Sequence, residues 1–110
     1  MSTSEEFTDY VLDQLAPVGV IKTSKMFGGV LLKVYNRQLG VIIMDTLYFK
    51  VKEIELQEKF EKMGSERFTY DRKDRKEPVV IKNWWSVPEE SLENREEIVG
   101  LAYEVLLQGT

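Results

Sequence analysis

The chain predicts an α+β domain, an antiparallel sheet of about five to six strands with an N-terminal, a middle and a C-terminal helix. Three observations lead there. Apolar residues recur at helical spacing near the start, short β-rich runs broken by turn residues fill positions 20–51, and helical spacing returns towards the end. With 110 residues, 43% hydrophobic and 31% charged, residues 1–110 make one domain able to bury roughly 65% of its unfolded surface. Two domains would leave neither with a core.

Thr3 and Glu6 have capping-box spacing, and Phe7, Val11 and Leu15, with Tyr10 beside them, recur at helical intervals before Pro17 and Gly19. They predict a first helix over Ser4–Ala16. Four strands of a meander follow, at Val20–Phe27, Val30–Tyr35, Leu39–Met44 and Thr46–Val51. Gly28-Gly29, Asn36-Arg37-Gln38 and Asp45-Thr46 supply the reversals, because Gly, Asn and Asp tolerate backbone conformations that branched residues resist. Thr46–Val51 alternates cleanly and is half-buried. Leu39–Met44 instead sets Leu39, Val41 and Ile43 on one face and Ile42 and Met44 on the other, so both faces need cover and the strand is central.

Leu56, Phe60 and Met63 predict a second helix over Glu53–Met63, closed by Gly64 as a left-handed cap. Arg67–Asp71 and Val79–Val87 are two further strands around a polar hairpin tip, Arg72–Pro78. Ser86 with Glu89, and Asn94 with Glu97, repeat the capping-box spacing ahead of a short helical turn and a longer helix carrying Ile98, Leu101, Ala102, Val105 and Leu106.

The chain has no His and no Cys. The commonest general base, the commonest metal ligands, disulfides and every Ser/His/Asp or Cys/His arrangement are therefore missing. The paired glutamates Glu5-Glu6, Glu89-Glu90 and Glu96-Glu97 fall in first turns of helices, where negative charge suits the helix dipole. Gly28-Gly29 matches no phosphate-loop pattern. No cofactor and no metal are expected, and an enzyme acting on small molecules through Lys, Tyr and carboxylates is the least favoured class. No run approaches the ~18 apolar residues of a membrane span. The start, MSTSEEF, lacks the basic region and apolar core of a secretory signal. Cytoplasmic residence is the expectation.

The formal charge of −4 hides an uneven distribution. Residues 1–17 hold four acids and no base, residues 18–83 hold fourteen Lys/Arg against nine Asp/Glu, and residues 84–110 hold Arg95 against six glutamates. The basic middle raises nucleic-acid binding as an alternative function, with Arg72, Lys73, Arg75 and Lys76 as phosphate contacts and Tyr70, Trp84 and Trp85 near in sequence for stacking. Asp71, Asp74 and Glu77, interleaved among them, weaken that reading, and binding to generic duplex is expected to be weak.

Met26-Phe27-Gly28-Gly29, Asp45-Thr46-Leu47-Tyr48-Phe49-Lys50-Val51, Gly64-Ser65-Glu66, Phe68-Thr69-Tyr70 and Trp85-x-Val87-Pro88-Glu89-Glu90 occur in an order that resembles the TfoX (Sxy) N-terminal domain family. Tyr10–Leu15 resembles the family's opening helix. The resemblance implies a fold similar to type III secretion chaperones and a non-catalytic role in regulating natural competence through protein contacts with transcription machinery. It implies no catalytic residues. Competence regulators of the family carry a second, C-terminal domain, so the chain resembles a stand-alone member.

A candidate interface follows from the sheet. Trp84 and Trp85 are adjacent in a strand and point to opposite faces, so one needs cover other than helices packed on a single face. Ile42 and Met44 raise the same demand. Trp84, Trp85, Ile42 and Met44 are therefore the residues expected to meet a protein partner or a second copy of the chain.

Overall fold

The computed structural model describes residues 4–26 and 28–108. Helix α1 (Glu5–Gln14) starts at Ser4, whose hydroxyl accepts from the Phe7 N–H at 3.1 Å. Thr3, the cap expected from the sequence, lies outside the described residues, as does Phe27. The Ser4 N–H also donates to Asp45 Oδ1 at 2.7 Å, which ties the helix start to a hairpin tip. α1 stops short of Ala16 and a 3₁₀ turn, Ala16–Val18, follows. Pro17 has no N–H with which to continue the α pattern.

Strands β1 (Ile21–Met26), β2 (Gly29–Val34), β3 (Arg37–Ile43) and β4 (Thr46–Lys50) lead to helix α2 (Ile54–Lys62), strands β5 (Arg67–Tyr70) and β6 (Val79–Ser86), and helices α3 (Glu89–Glu93) and α4 (Arg95–Leu106). All six strands join one antiparallel sheet in the order β1-β2-β3-β4-β6-β5. The α+β class, the meander and the three helical regions agree with the sequence reading.

Two reversals sit one residue earlier than the turn chemistry suggested. Val34 pairs with Arg37 and Ile43 with Thr46, leaving Tyr35-Asn36 and Met44-Asp45 as two-residue loops. All four residues have positive φ, between 50° and 64°. That is the backbone a right-twisted hairpin requires, and it outweighs the preference of Tyr and Met for negative φ. The penalty remains in the structure. Met44→Asn should therefore raise the denaturant midpoint at unchanged m-value, by up to about 1 kcal/mol of stability. A loss of stability would show that the half-exposed Met44 side chain contributes more than its backbone costs.

The faces of β3 differ from strict alternation. Leu32 pairs with Gly40 but Lys33 pairs with Gln38, so Leu39 is an extra residue on β3. This bulge turns Leu39 onto the face of Ile42, away from Val41 and Ile43. The strand is central with both faces covered, as expected, but its face assignment changes at Leu39.

Ser86 does not cap α3. Its hydroxyl accepts from the Glu66 N–H at 2.9 Å, across from the start of β5, and Pro88 occupies the cap position. Asn94 does cap α4, accepting from the Glu97 N–H at 3.1 Å. Asn94→Ala should cost about 1 kcal/mol in thermal or urea unfolding. A neutral substitution would show that the α3–α4 junction is held by other bonds. Gly64 takes φ +90° after α2, as its role of left-handed cap requires.

All four helices serve one face. Val11, Leu15, Phe60, Leu92, Ile98 and Leu101 pack there with Leu32, Ile42, Phe49 and Trp85 from the sheet. Among the described residues, the opposite face carries a smaller core made of strand residues alone: Leu31, Val41, Ile43, Phe68 and Trp84, with Met26, Tyr48 and Ile81 against them. Irregular pairing at the β5–β6 edge helps close it. Arg67 pairs with Trp85 but Phe68 pairs with Ile81, so Lys82, Asn83 and Trp84 lack β5 partners and the strands bend. Phe68 then meets Tyr48 edge-on, with ring centroids 5.2 Å apart.

Candidate functional site

The tryptophans point to opposite faces. Trp85 lies in the helix-side core, 3% exposed, with the Arg67 guanidinium 4.8 Å from its ring centroid. Trp84 lies in the smaller core, 5% exposed, with Lys50 Nζ 5.7 Å from its ring. The cover for Trp84 is the strand-built core of the second face, with no helical residue in it among the described residues. Ile42 is fully buried on the helix side, and Met44 is half-exposed at a hairpin tip. Of the four candidates, only Met44 offers surface on the monomer.

Arg72, Lys73, Arg75 and Lys76 are exposed in the β5–β6 connection, where Arg72 pairs with Asp74 at 3.1 Å. Tyr70 is exposed beside them, but both indoles are buried and present no free ring face for stacking. Aromatic–base stacking therefore has little to use here.

The sheet register assembles a feature that sequence reasoning missed. Lys22 pairs with Lys33, Lys33 with Gln38, and Lys50 with Trp84, while Lys50 Nζ donates to Gln38 Oε1 at 2.7 Å. A row Lys22–Lys33–Gln38–Lys50 thus crosses four strands on the face without helices, with like charges directly opposite on β1 and β2. Such an arrangement is destabilising in itself. Partial burial, then the charge of Lys52, hold the Lys50 ammonium below its ordinary pKa. On the same face, burial and then the Glu66 charge push the Tyr48 hydroxyl up. These lysines are far apart in the chain, and only the pairing register could have revealed the row.

The row ends at a cleft of about 200 Å³ lined by Asn36, Arg37, Gln38, Lys50, Lys52 and the end of α4. Arg37 is committed there to structure, donating to the Leu106 carbonyl and, at 3.2 Å, to the Gln108 carbonyl. A cation at a helix C-terminus complements the dipole. Among the described residues the cleft is lined by no carboxylate, so they assemble no acid–base pair in it. Among the described residues, no three His, Cys, Asp or Glu side chains gather as a metal site. No described helix is long and apolar enough to cross a membrane.

An open antiparallel sheet with every helix on one face defines a small α+β domain. Its sequence matches the family model of the TfoX N-terminal domain over residues 13–108. The chain belongs to that family, which is not a known enzyme family. Comparison with curated proteins gives no match.

Proposed function

We propose that the chain is a non-catalytic regulatory module that binds another protein in the cytoplasm, in the manner of competence regulators that contact transcription machinery. Membership of the TfoX N-terminal domain family over residues 13–108 is the observation that carries this reading. A sequence without His or Cys agrees with it. So does the open face, where, among the described residues, a strand-built core lies under no helix and Lys22 stands directly opposite Lys33.

Affinity capture from the native cell, followed by chemical cross-linking and mass spectrometry, tests the proposal. One protein should be retained in stoichiometric amount, with cross-links confined to one surface. Recovery of nucleic acid or a turned-over metabolite in its place would defeat it. Self-association through Met44 is a variant of the same reading. A dimer seen by light scattering that dissociates on Met44→Glu, with the fold kept, would support that variant.

A second reading, nucleic-acid binding, draws on where the bases lie. β4 ends at Lys50 opposite Trp84, so residues 79–83 of β6 run past it, and the basic β5–β6 connection projects from the sheet end that holds Arg37, Lys50 and Lys52. Phosphate contacts there would make affinity fall steeply with salt. The expected outcome is a dissociation constant for duplex DNA of about 10 μM or weaker at physiological salt. A tight, sequence-selective shift in a titration would put this reading first.

A further inference from the structure

We infer that the free edge of β1 is a docking edge for an extended, acidic segment of a partner protein, which adds to the sheet as a seventh strand. The inference rests on the protein-binding reading above and specifies the partner's chemistry. β1 stands at the end of the sheet order and pairs only with β2 among the described residues. Its six residues pair with β2 in unbroken register, without proline or bulge, and Lys22, Thr23, Ser24 and Lys25 are all exposed. An edge of this length presents unpaired N–H and C=O groups, which a polypeptide can satisfy by main-chain hydrogen bonds.

The side chains select the occupant. Lys25 pairs with Val30 and lies on the helix side, whereas Lys22 lies on the opposite face beside Lys33. An added strand points successive side chains to alternate faces and would meet a lysine on each. Lys33 and, about 10 Å further across the sheet, Lys50 extend the positive field on the helix-free face. Val20 and Tyr35, 79% and 75% exposed, flank the Ile21–Val34 end of the edge and fit an apolar residue among the acids. Lysines on an edge also discourage indiscriminate strand pairing. The two roles agree, since a charge that repels basic edges and would lose its hydration without compensation against neutral ones admits an acidic one. A nucleic acid could use the lysines but has no use for the backbone edge or the apolar pair, and the formal charge of −4 opposes its approach.

The test uses the full chain and a labelled, end-capped ten-residue peptide of Glu with Val at every third position, which carries acids on both faces of an added strand, and the same peptide with Lys in place of Glu as control. Fluorescence anisotropy should show binding in the range of about 10–100 μM for the acidic peptide, weakening with salt, and none for the control. Amide exchange read by NMR should slow within residues 21–26 on binding. The exposed double substitution Lys22→Glu with Lys25→Glu should weaken binding about tenfold. The exchange measurement on the unaltered chain stands even if that variant folds poorly. No binding at about 1 mM peptide, or binding that leaves the β1 amides unprotected, overturns the inference. So does a twelve-residue oligothymidine that binds more tightly through the same lysines, or concentration-dependent protection of β1 in the free chain, which would make a second copy the occupant. A native partner whose capture ignores both substitutions leaves the protein-binding reading standing and removes this one.

Discussion

Gly40→Ala should destabilise the domain by about 3 kcal/mol, at the upper end of overpacking costs. Gly40 lies in β3 between Leu32 of β2 and Phe49 of β4, beside the bulge at Leu39. A β-carbon there would stand 2.2 Å from the Tyr48 carbonyl oxygen and 3.0 Å from Phe49 Cδ1. The first contact is with backbone in the middle of a six-stranded sheet, so no rotamer change can relieve it. β3 and β4 would have to separate where Phe49 is fully buried. Urea unfolding should give a much lower midpoint, and weaker near-ultraviolet signal would report loosening around Phe49 and Trp85. Gly100→Ala is the control, because a β-carbon there meets nothing within 4 Å. Replacing a helical glycine at that site should stabilise by roughly 0.5–1 kcal/mol. If Gly40→Ala cost no more than 1 kcal/mol, the close strand approach would be wrong.

Much of this fold was legible because its signals are local. Apolar spacing located the helices, the caps at Asn94 and Gly64 set two boundaries, and the β-rich runs from Val20 to Val51 gave the meander. Places where sequence reasoning slipped are those where the determinant lies in another element. Strict alternation placed Leu39 with Val41, because nothing within β3 announces an extra residue; the bulge is defined by the pairing with Leu32 and Lys33. Ser86 had the spacing of a cap, but its hydroxyl is taken by Glu66, twenty residues away in the chain. The two indoles were correctly set on opposite faces. What covers Trp84 depends on irregular β5–β6 pairing that brings Phe68 to its side, which no periodicity shows. The lysine row was equally hidden, since Lys22, Lys33 and Lys50 become neighbours only through register.

Gln108→Leu should also cost about 3 kcal/mol, although the substitution is close in volume and nothing in the sequence marks Gln108 as special. The side chain is 3% exposed and uses its full hydrogen-bonding capacity. Its Oε1 accepts from the N–H groups of Lys52 at 2.6 Å and Glu53 at 2.9 Å, while Nε2 donates to the carbonyls of Lys50 at 2.8 Å and Val105 at 2.9 Å. Glu53 is the N-cap of α2 and makes no side-chain cap bond of its own, and Gln108, from beyond the end of α4, holds the N–H groups of that residue and of the one before it. One amide therefore joins the end of β4, the start of α2 and the end of α4. Leucine would leave these donors and acceptors without partners, at about 1–3 kcal/mol for each buried group that water cannot reach. Gln108→Glu should be intermediate: it keeps the two accepted bonds at a helix N-terminus, where negative charge is favoured, but sets a carboxylate against two carbonyls. Urea unfolding should rank stability as the parent chain, then Gln108→Glu, then Gln108→Leu. Amide exchange should show the first turn of α2 opening before the sheet. Equal stability of the parent and Gln108→Leu would mean that α2 is held by Phe60 and its apolar neighbours alone.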